Sequence, residues 1–216
     1  MAVFYRYQDS GLDDWEKEKN YVQMGFRPGF SVQARELTQM QTAMQSQITA
    51  LAHSQGLKSG SIVDRSILSV NGPGTPGIWN LSLNRGDIFC EPDLRELGYF
   101  VHNNTPISLS GINAPAGERI NIYVRWMEIQ VNADGDPIPA QGGYVEVRVD
   151  GSILDNAQGY ANSSAPGASR YKIDIVSLGS YNPETESKPV HSADMIYFQN
   201  GTPYYSDDGT AVAYNQ

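Results

Sequence analysis

Three histidines, one cysteine and scattered carboxylates are the side chains that could do chemistry in this 216-residue chain. Metal binding asks for several His or Cys ligands at short spacing. His53, His102 and His191 lie far apart, and each reads as a surface or helix-end histidine. The single cysteine, Cys90, excludes an intrachain disulfide and leaves too little sulfur for a thiolate zinc site. No GxSxG elbow nominates a serine nucleophile. The glycines of NGPGTPG (71–77) are not followed by the Lys-Ser/Thr pair of a phosphate loop.

Two acidic turns, DGDP from Asp134 and DDG from Asp207, could offer oxygens to calcium. The ligand series ending in Glu that completes a calcium loop is absent, so both read as ordinary turns. A hydrolase would have to rest on a carboxylate such as Asp134 or Asp155, whose partner only the fold could supply. The expectation is therefore a protein that is not an enzyme and has no cofactor and no metal.

Composition points the same way. With 21 Gly, 12 Pro and 13 Tyr, and only 18% charged residues, the chain has the balance of a turn-rich β protein. Its net charge of −9, with no run of Lys or Arg, argues against a nucleic-acid surface. No basic leader precedes an apolar segment, and no apolar run has the length of a membrane span, so neither secretion nor membrane insertion is expected.

The elements that would carry an interface lie at the N-terminus. Residues 1–25 hold Phe4, Tyr5, Tyr7, Trp15 and Tyr21 around the mixed-charge DDWEKEKN, the pattern of an arm that lies on something. RPGF then predicts a type II turn, with Pro28 and Gly29 at its centre. Ser31 is placed to cap a helix, Glu36 falls in the first turns, and Gly56 is a good stop, giving about six turns.

On that helix Leu37, Met40, Met44, Ile48 and Leu51 fall within roughly 80°, and Ala34 and Ala52 widen the sector to about 120°. The opposite side, with Arg35, Thr42, Ser46, Thr49 and His53, is expected to be wet. Gln33, Gln41 and Gln55 lie on or beside the stripe, where Lys and Glu would be commoner on a helix that only covers its own sheet. An uncharged amide can donate and accept at modest desolvation cost, which favours helix packing between chains.

After Lys58 the period changes to two. SGSIVDRSILSV, GIWNLSL, GDIFC, LGYFVHN, PISLSGI, RINIYVRWMEIQVN, GYVEVRVDG and RYKIDIVSLG are strand candidates, separated by Gly, Pro and Asn. Ile120, Ile122, Val124 and Trp126 share one face of the longest, and a change of phase at Met127 suggests a bulge there or a change of partner sheet. Asn200-Gly201 and Asp208-Gly209 predict a terminal hairpin or meander. The expected fold is mainly β with one long N-terminal helix (α+β): an arm and assembly helix over 1–57, then a β-sandwich-like domain of about ten short strands over 58–216.

The stretch NYVQMGFRPGFSVQARELTQMQTAMQSQITAL resembles the N-terminal region of a group of bacteriophage tail structural proteins, which join an aromatic arm, an F-R-P-G turn and a glutamine-rich helix opening Q-A-R-E-L. The matching positions are Tyr21, Phe26, Arg27, Pro28, Gly29, Gln33, Ala34, Glu36, Leu37 and Gln41, and the likeness covers about residues 18–60. It implies a virion structural subunit, a baseplate wedge or tail-fibre attachment adaptor, located at the tail baseplate or fibre root and assembled in the host cytoplasm. Implied partners are other copies of itself, a trimer being one arrangement, and baseplate wedge and tail-fibre subunits. The interface is expected at Tyr5, Tyr7, Trp15, Tyr21, Phe26, Arg27, Leu37, Met40, Gln41, Met44, Ile48 and Leu51.

The alternative is a short receptor-binding tail fibre that recognises host polysaccharide. It would need an exposed aromatic patch among Trp79, Tyr99, Tyr160, Tyr204 and Tyr205. A polysaccharide hydrolase is the remaining option.

Overall fold

A change of hydrophobic period near residue 58 should separate helix from strands, and it does. The computed structural model describes Phe26, Gly29, Ser31 and residues 34–75, 77–91, 97–131 and 170–215. Among them a single α-helix, α1 (Ala34–Ser54), precedes a short 3-10 turn (Arg65–Ile67) and nine strands. These are β1 (Leu68–Thr75), β2 (Ile78–Leu83), β3 (Gly86–Cys90), β4 (Tyr99–Asn103), β5 (Ile107–Asn113), β6 (Arg119–Val131), β7 (Arg170–Tyr181), β8 (Ser192–Gln199) and β9 (Thr202–Tyr205). The fold is mainly β with one helix. The aromatic arm, the Pro28 position of the first turn and the expected strand GYVEVRVDG lie outside the described residues.

The strands form three sheets, ordered β1-β2-β5, β3-β4 and β7-β6-β8-β9. β1 pairs antiparallel with β2, β2 with β5, β3 with β4, β6 with β8 and β8 with β9. The segment before the 3-10 turn extends β3: the Phe89 amide donates to Ser61 O at 2.9 Å, and the Val63 amide to Asp87 O at 3.0 Å. Asn200 and Gly201 both take positive φ (52° and 75°), as a two-residue type I′ hairpin between β8 and β9 requires.

Alternation builds the core. Ile120, Ile122, Val124 and Trp126 of β6 are all buried, as are Trp79, Leu81 and Leu83 of β2. Trp79 meets Phe198 of β8 with ring centroids 5.0 Å apart, which brings the three-stranded and four-stranded sheets into contact. Gly72 of β1 lies beneath the Trp79 indole, where a Cβ would overlap the ring.

A bulge lies on β8, and the side chains just after Met127, where the change of phase was expected, lie outside the described residues. Ile122 faces Ile196 while the next residue, Tyr123, faces Asp194, so the extra residue is Met195 on β8. β6 keeps one parity through Trp126, and β8 changes its own: Ala193 and Met195 are buried on one side of the bulge, Ile196 and Phe198 on the other.

By backbone packing the chain forms two compact units. One comprises Met1–Gln47 with Glu128–Ile173; its described residues are Phe26, Gly29, Ser31, 34–47 of α1, 128–131 of β6 and 170–173 of β7. The other comprises Ile48–Met127 with Asp174–Gln216 and holds the last turns of α1, β1 to β5, most of β6 and β7, β8, β9 and the core. Within this second unit the last turns of α1 are tied to Gly98 and Glu91 through Thr49 and His53.

Candidate assembly surface on the helix

The end of α1 is set by its sequence. Gly56 takes φ 81°, the Gly56 amide donates to His53 O at 2.9 Å, and the Leu57 amide donates to Ala52 O at 3.1 Å. These are the two bonds of a Schellman cap, made possible by a residue without a Cβ. Glu36 occupies the first turn and His53 the last, each favourable to the helix dipole.

The apolar stripe of α1 is largely exposed, and part of the side expected to be wet is buried. Gln39, Thr42, Thr49 and Ala52 are its buried residues, whereas Leu37 (44%), Met44 (59%), Ile48 (41%) and Leu51 (63%) are exposed. Met40 is half-buried and Gln41 exposed. The buried and exposed sets are centred about 140° apart on the helical wheel. The side bearing Thr42 and Thr49, expected to be wet, is the one that the chain covers.

Hydrogen bonding explains how a polar face can be covered. The Thr49 hydroxyl accepts from the Gly98 amide at 2.7 Å and donates to Gly98 O at 3.5 Å. The Thr42 hydroxyl donates back to Thr38 O at 3.2 Å. Small hydroxyls satisfied in this way permit close approach that a row of Leu and Met would not. Near the C-terminus of α1, His53 Nε2 lies 2.6 Å from Glu91 Oε1, and the His53 ring meets the Phe89 ring edge-on at 6.0 Å.

Of the expected interface residues, Leu37, Met40, Gln41, Met44, Ile48 and Leu51 are gathered on one helix surface. Phe26 is 45% exposed. Tyr5, Tyr7, Trp15, Tyr21 and Arg27 lie outside the described residues.

The other chemical candidates resolve into structural contacts. At the DDG turn a guanidinium takes the place considered for calcium. Arg65 Nη2 donates to Asp207 Oδ1 at 3.0 Å and to Asp208 Oδ2 at 2.8 Å, and Arg65 Nη1 donates to Thr210 Oγ1 at 2.9 Å. The same guanidinium lies 3.9 Å above the Tyr205 ring. Burial works against ionisation of Asp208, but the Thr210 amide, the Arg65 guanidinium and the Thr210 hydroxyl outweigh it and bring the carboxyl down to about 2. His102 Nδ1 pairs with Asp87 Oδ1 at 2.8 Å across β3 and β4. Burial pushes the Cys90 thiol up to about 12, which leaves it a core residue. Among the described residues no three His, Cys, Asp or Glu side chains converge as metal ligands, and no helix is long and apolar enough to cross a membrane. Asp134 and Asp155 lie outside the described residues.

The aromatic patch named for a polysaccharide surface does not form as expected. Trp79 and Tyr205 are buried, Tyr99 and Tyr204 are half-buried, and Tyr160 lies outside the described residues. Sequence reasoning missed a different group. On one face of β7-β6-β8-β9, Tyr123 neighbours Tyr181 at 6.1 Å, and Tyr197 stacks on Tyr204 at 5.4 Å with Arg119 lying 4.1 Å over the Tyr197 ring. The Tyr181 hydroxyl donates to the Asp194 carboxylate at 3.0 Å, and Asn121 Nδ2 donates to Asp194 Oδ2 at 3.3 Å. The odd parity of Arg119, Asn121 and Tyr123, opposite the buried even positions, was the available signal.

No protein-family model, curated protein or solved structure matches this chain. The fold and the helix surface therefore define its class: a mainly β protein that, among the described residues, carries a single helix with its apolar stripe turned outward.

Proposed function

We propose that this chain is a structural subunit of a bacteriophage tail, a baseplate wedge or fibre-attachment adaptor that joins neighbouring subunits through α1. One observation carries the reading: the large apolar side chains of α1 are exposed while its threonine face is buried. A contiguous apolar patch of this kind marks an interaction site. The resemblance of residues 18–60 to phage tail proteins supplies the setting. Packing is the mechanism, with the stripe as the contact.

The double substitution Leu37→Asp with Met44→Asp tests this reading. Both positions are exposed, so the circular dichroism spectrum and melting temperature should stay as in the native chain, while incorporation into tails is lost. Normal incorporation of the variant would sink the assembly role of the stripe. A receptor-binding fibre is the second reading, favoured by the tyrosine and Arg119 face of the four-stranded sheet, and a C-terminal label found at distal fibre tips would select it.

A further inference from the structure

The stripe of α1 has an internal symmetry. About Met44, Leu37 and Leu51 stand seven residues to either side, Met40 and Ile48 four, Gln41 and Gln47 three, and Thr42 and Ser46 two. Read from either end, the stripe presents a similar series of side chains, while the pairs off it (Ala43 and Gln45, Gln39 and Thr49, Thr38 and Ala50) are unlike. A parallel pair of helices sets every residue against its own copy whatever the sequence. An antiparallel pair sets like against like only when the sequence is symmetric about the two-fold axis.

From this symmetry we infer that the stripe is covered by a second copy of this chain, docked antiparallel, with the two-fold axis passing at Met44. The inference rests on the assembly role proposed for α1 and names the occupant of that surface. Met40, Met44 and Ile48 form one row at a spacing of four, and such rows interdigitate in the commonest class of helix packing, at a crossing angle near −50°. The Met44 side chains then meet on the axis, and Met40 of each copy lies beside Ile48 of the other.

The chemistry of the surface suits this occupant. No charged residue lies between Glu36 and His53, so a copy brings no like-charge repulsion into the contact. Antiparallel helix dipoles attract, whereas parallel ones oppose each other. Met44 is exposed and stands at the centre of the patch, where interface side chains contribute most. Methionine adapts its shape to an identical neighbour. Gln41 and Gln47 are both exposed beside the row, where their amides can donate and accept across the rim. A parallel coiled coil fits less well, because the spacing of seven through Leu37, Met44 and Leu51 spans only two heptads and places Gln47 at a seam position.

Cysteine crosslinking of the full-length chain, with its native Cys90 buried, separates the arrangements. Under mild oxidation Met44→Cys should crosslink to itself. A mixture of Met40→Cys and Ile48→Cys chains should give the mixed product, while Met40→Cys alone should give none. Crosslinking of Met40→Cys to itself without the mixed product means a parallel pair; it overturns the antiparallel docking and leaves assembly through the helix standing. A chain that sediments as a monomer and crosslinks in no combination overturns the second copy as occupant. Should the Leu37→Asp, Met44→Asp variant then also enter tails normally, the assembly reading falls as well.

Discussion

Thr49 holds Gly98 by both of its backbone groups, accepting from the amide at 2.7 Å and donating to the carbonyl at 3.5 Å. One hydroxyl thereby fixes the last turns of α1 against the chain leading into β4. Replacing it with the isosteric Thr49→Val keeps the volume and removes both bonds. A loss of about 1–3 kcal/mol is expected, the penalty for taking a hydrogen-bond partner from a buried polar group. Urea denaturation of the two proteins measures it, with an unchanged m-value showing that the fold is otherwise retained.

Adjacent residues of α1 should respond oppositely to a charge. Leu51 is 63% exposed and Ala52 is 3% exposed. Leu51→Glu should change monomer stability by no more than about 0.5 kcal/mol, the usual range for surface substitutions. Ala52→Glu forces an unpaired carboxylate into the covered face and should cost several kcal/mol, on the order of 3. Thermal melts of both variants read the contrast, and equal melting temperatures would show that α1 is rotated from the orientation described.

Gly72 has no room for a side chain. A Cβ there would overlap the Trp79 indole, itself packed between Phe198 and Tyr214 with ring centroids 5.0 Å from each. Gly72→Ala should therefore destabilise the protein by about 1–3 kcal/mol through overpacking. Near-ultraviolet circular dichroism of Trp79 should change with it, because the indole must shift.

The Arg65 clasp makes a pH prediction. The Asp208 carboxyl titrates at about 2 in the folded protein, against an ordinary value of 3.8. The folded state thus holds this proton less tightly than the unfolded chain, and stability rises with pH across the interval between the two values. The contribution is complete above pH 4 and is lost as pH falls through about 2. Asp208→Asn should flatten that part of the curve of melting temperature against pH and leave the part above pH 5 parallel to that of the native protein.

The strands were legible in the sequence because their boundaries are local. Gly, Pro and Asn between alternating runs bracket β2 to β5, and Asn200-Gly201 alone specifies a type I′ hairpin, since those residues tolerate positive φ. Gly56 stops α1 for the same reason. The apolar stripe of α1 was equally legible, and so were the six of its residues that share one surface.

What covers each surface was not local, and the tertiary structure decided it. An apolar stripe states that a face gains by leaving water, but it does not state whether the cover comes from the same chain. Here Thr42, Thr49 and Ala52 are buried, the Thr49 hydroxyl being satisfied at Gly98 and that of Thr42 at Thr38, and Leu37, Met44, Ile48 and Leu51 are left outside. Pairing likewise placed a bulge at Met195 of β8, since an extra residue is defined only relative to the strand opposite. Trp79 and Tyr205 belong to the core and Tyr197 to the outer face because parity gains a direction only once sheets pack on each other.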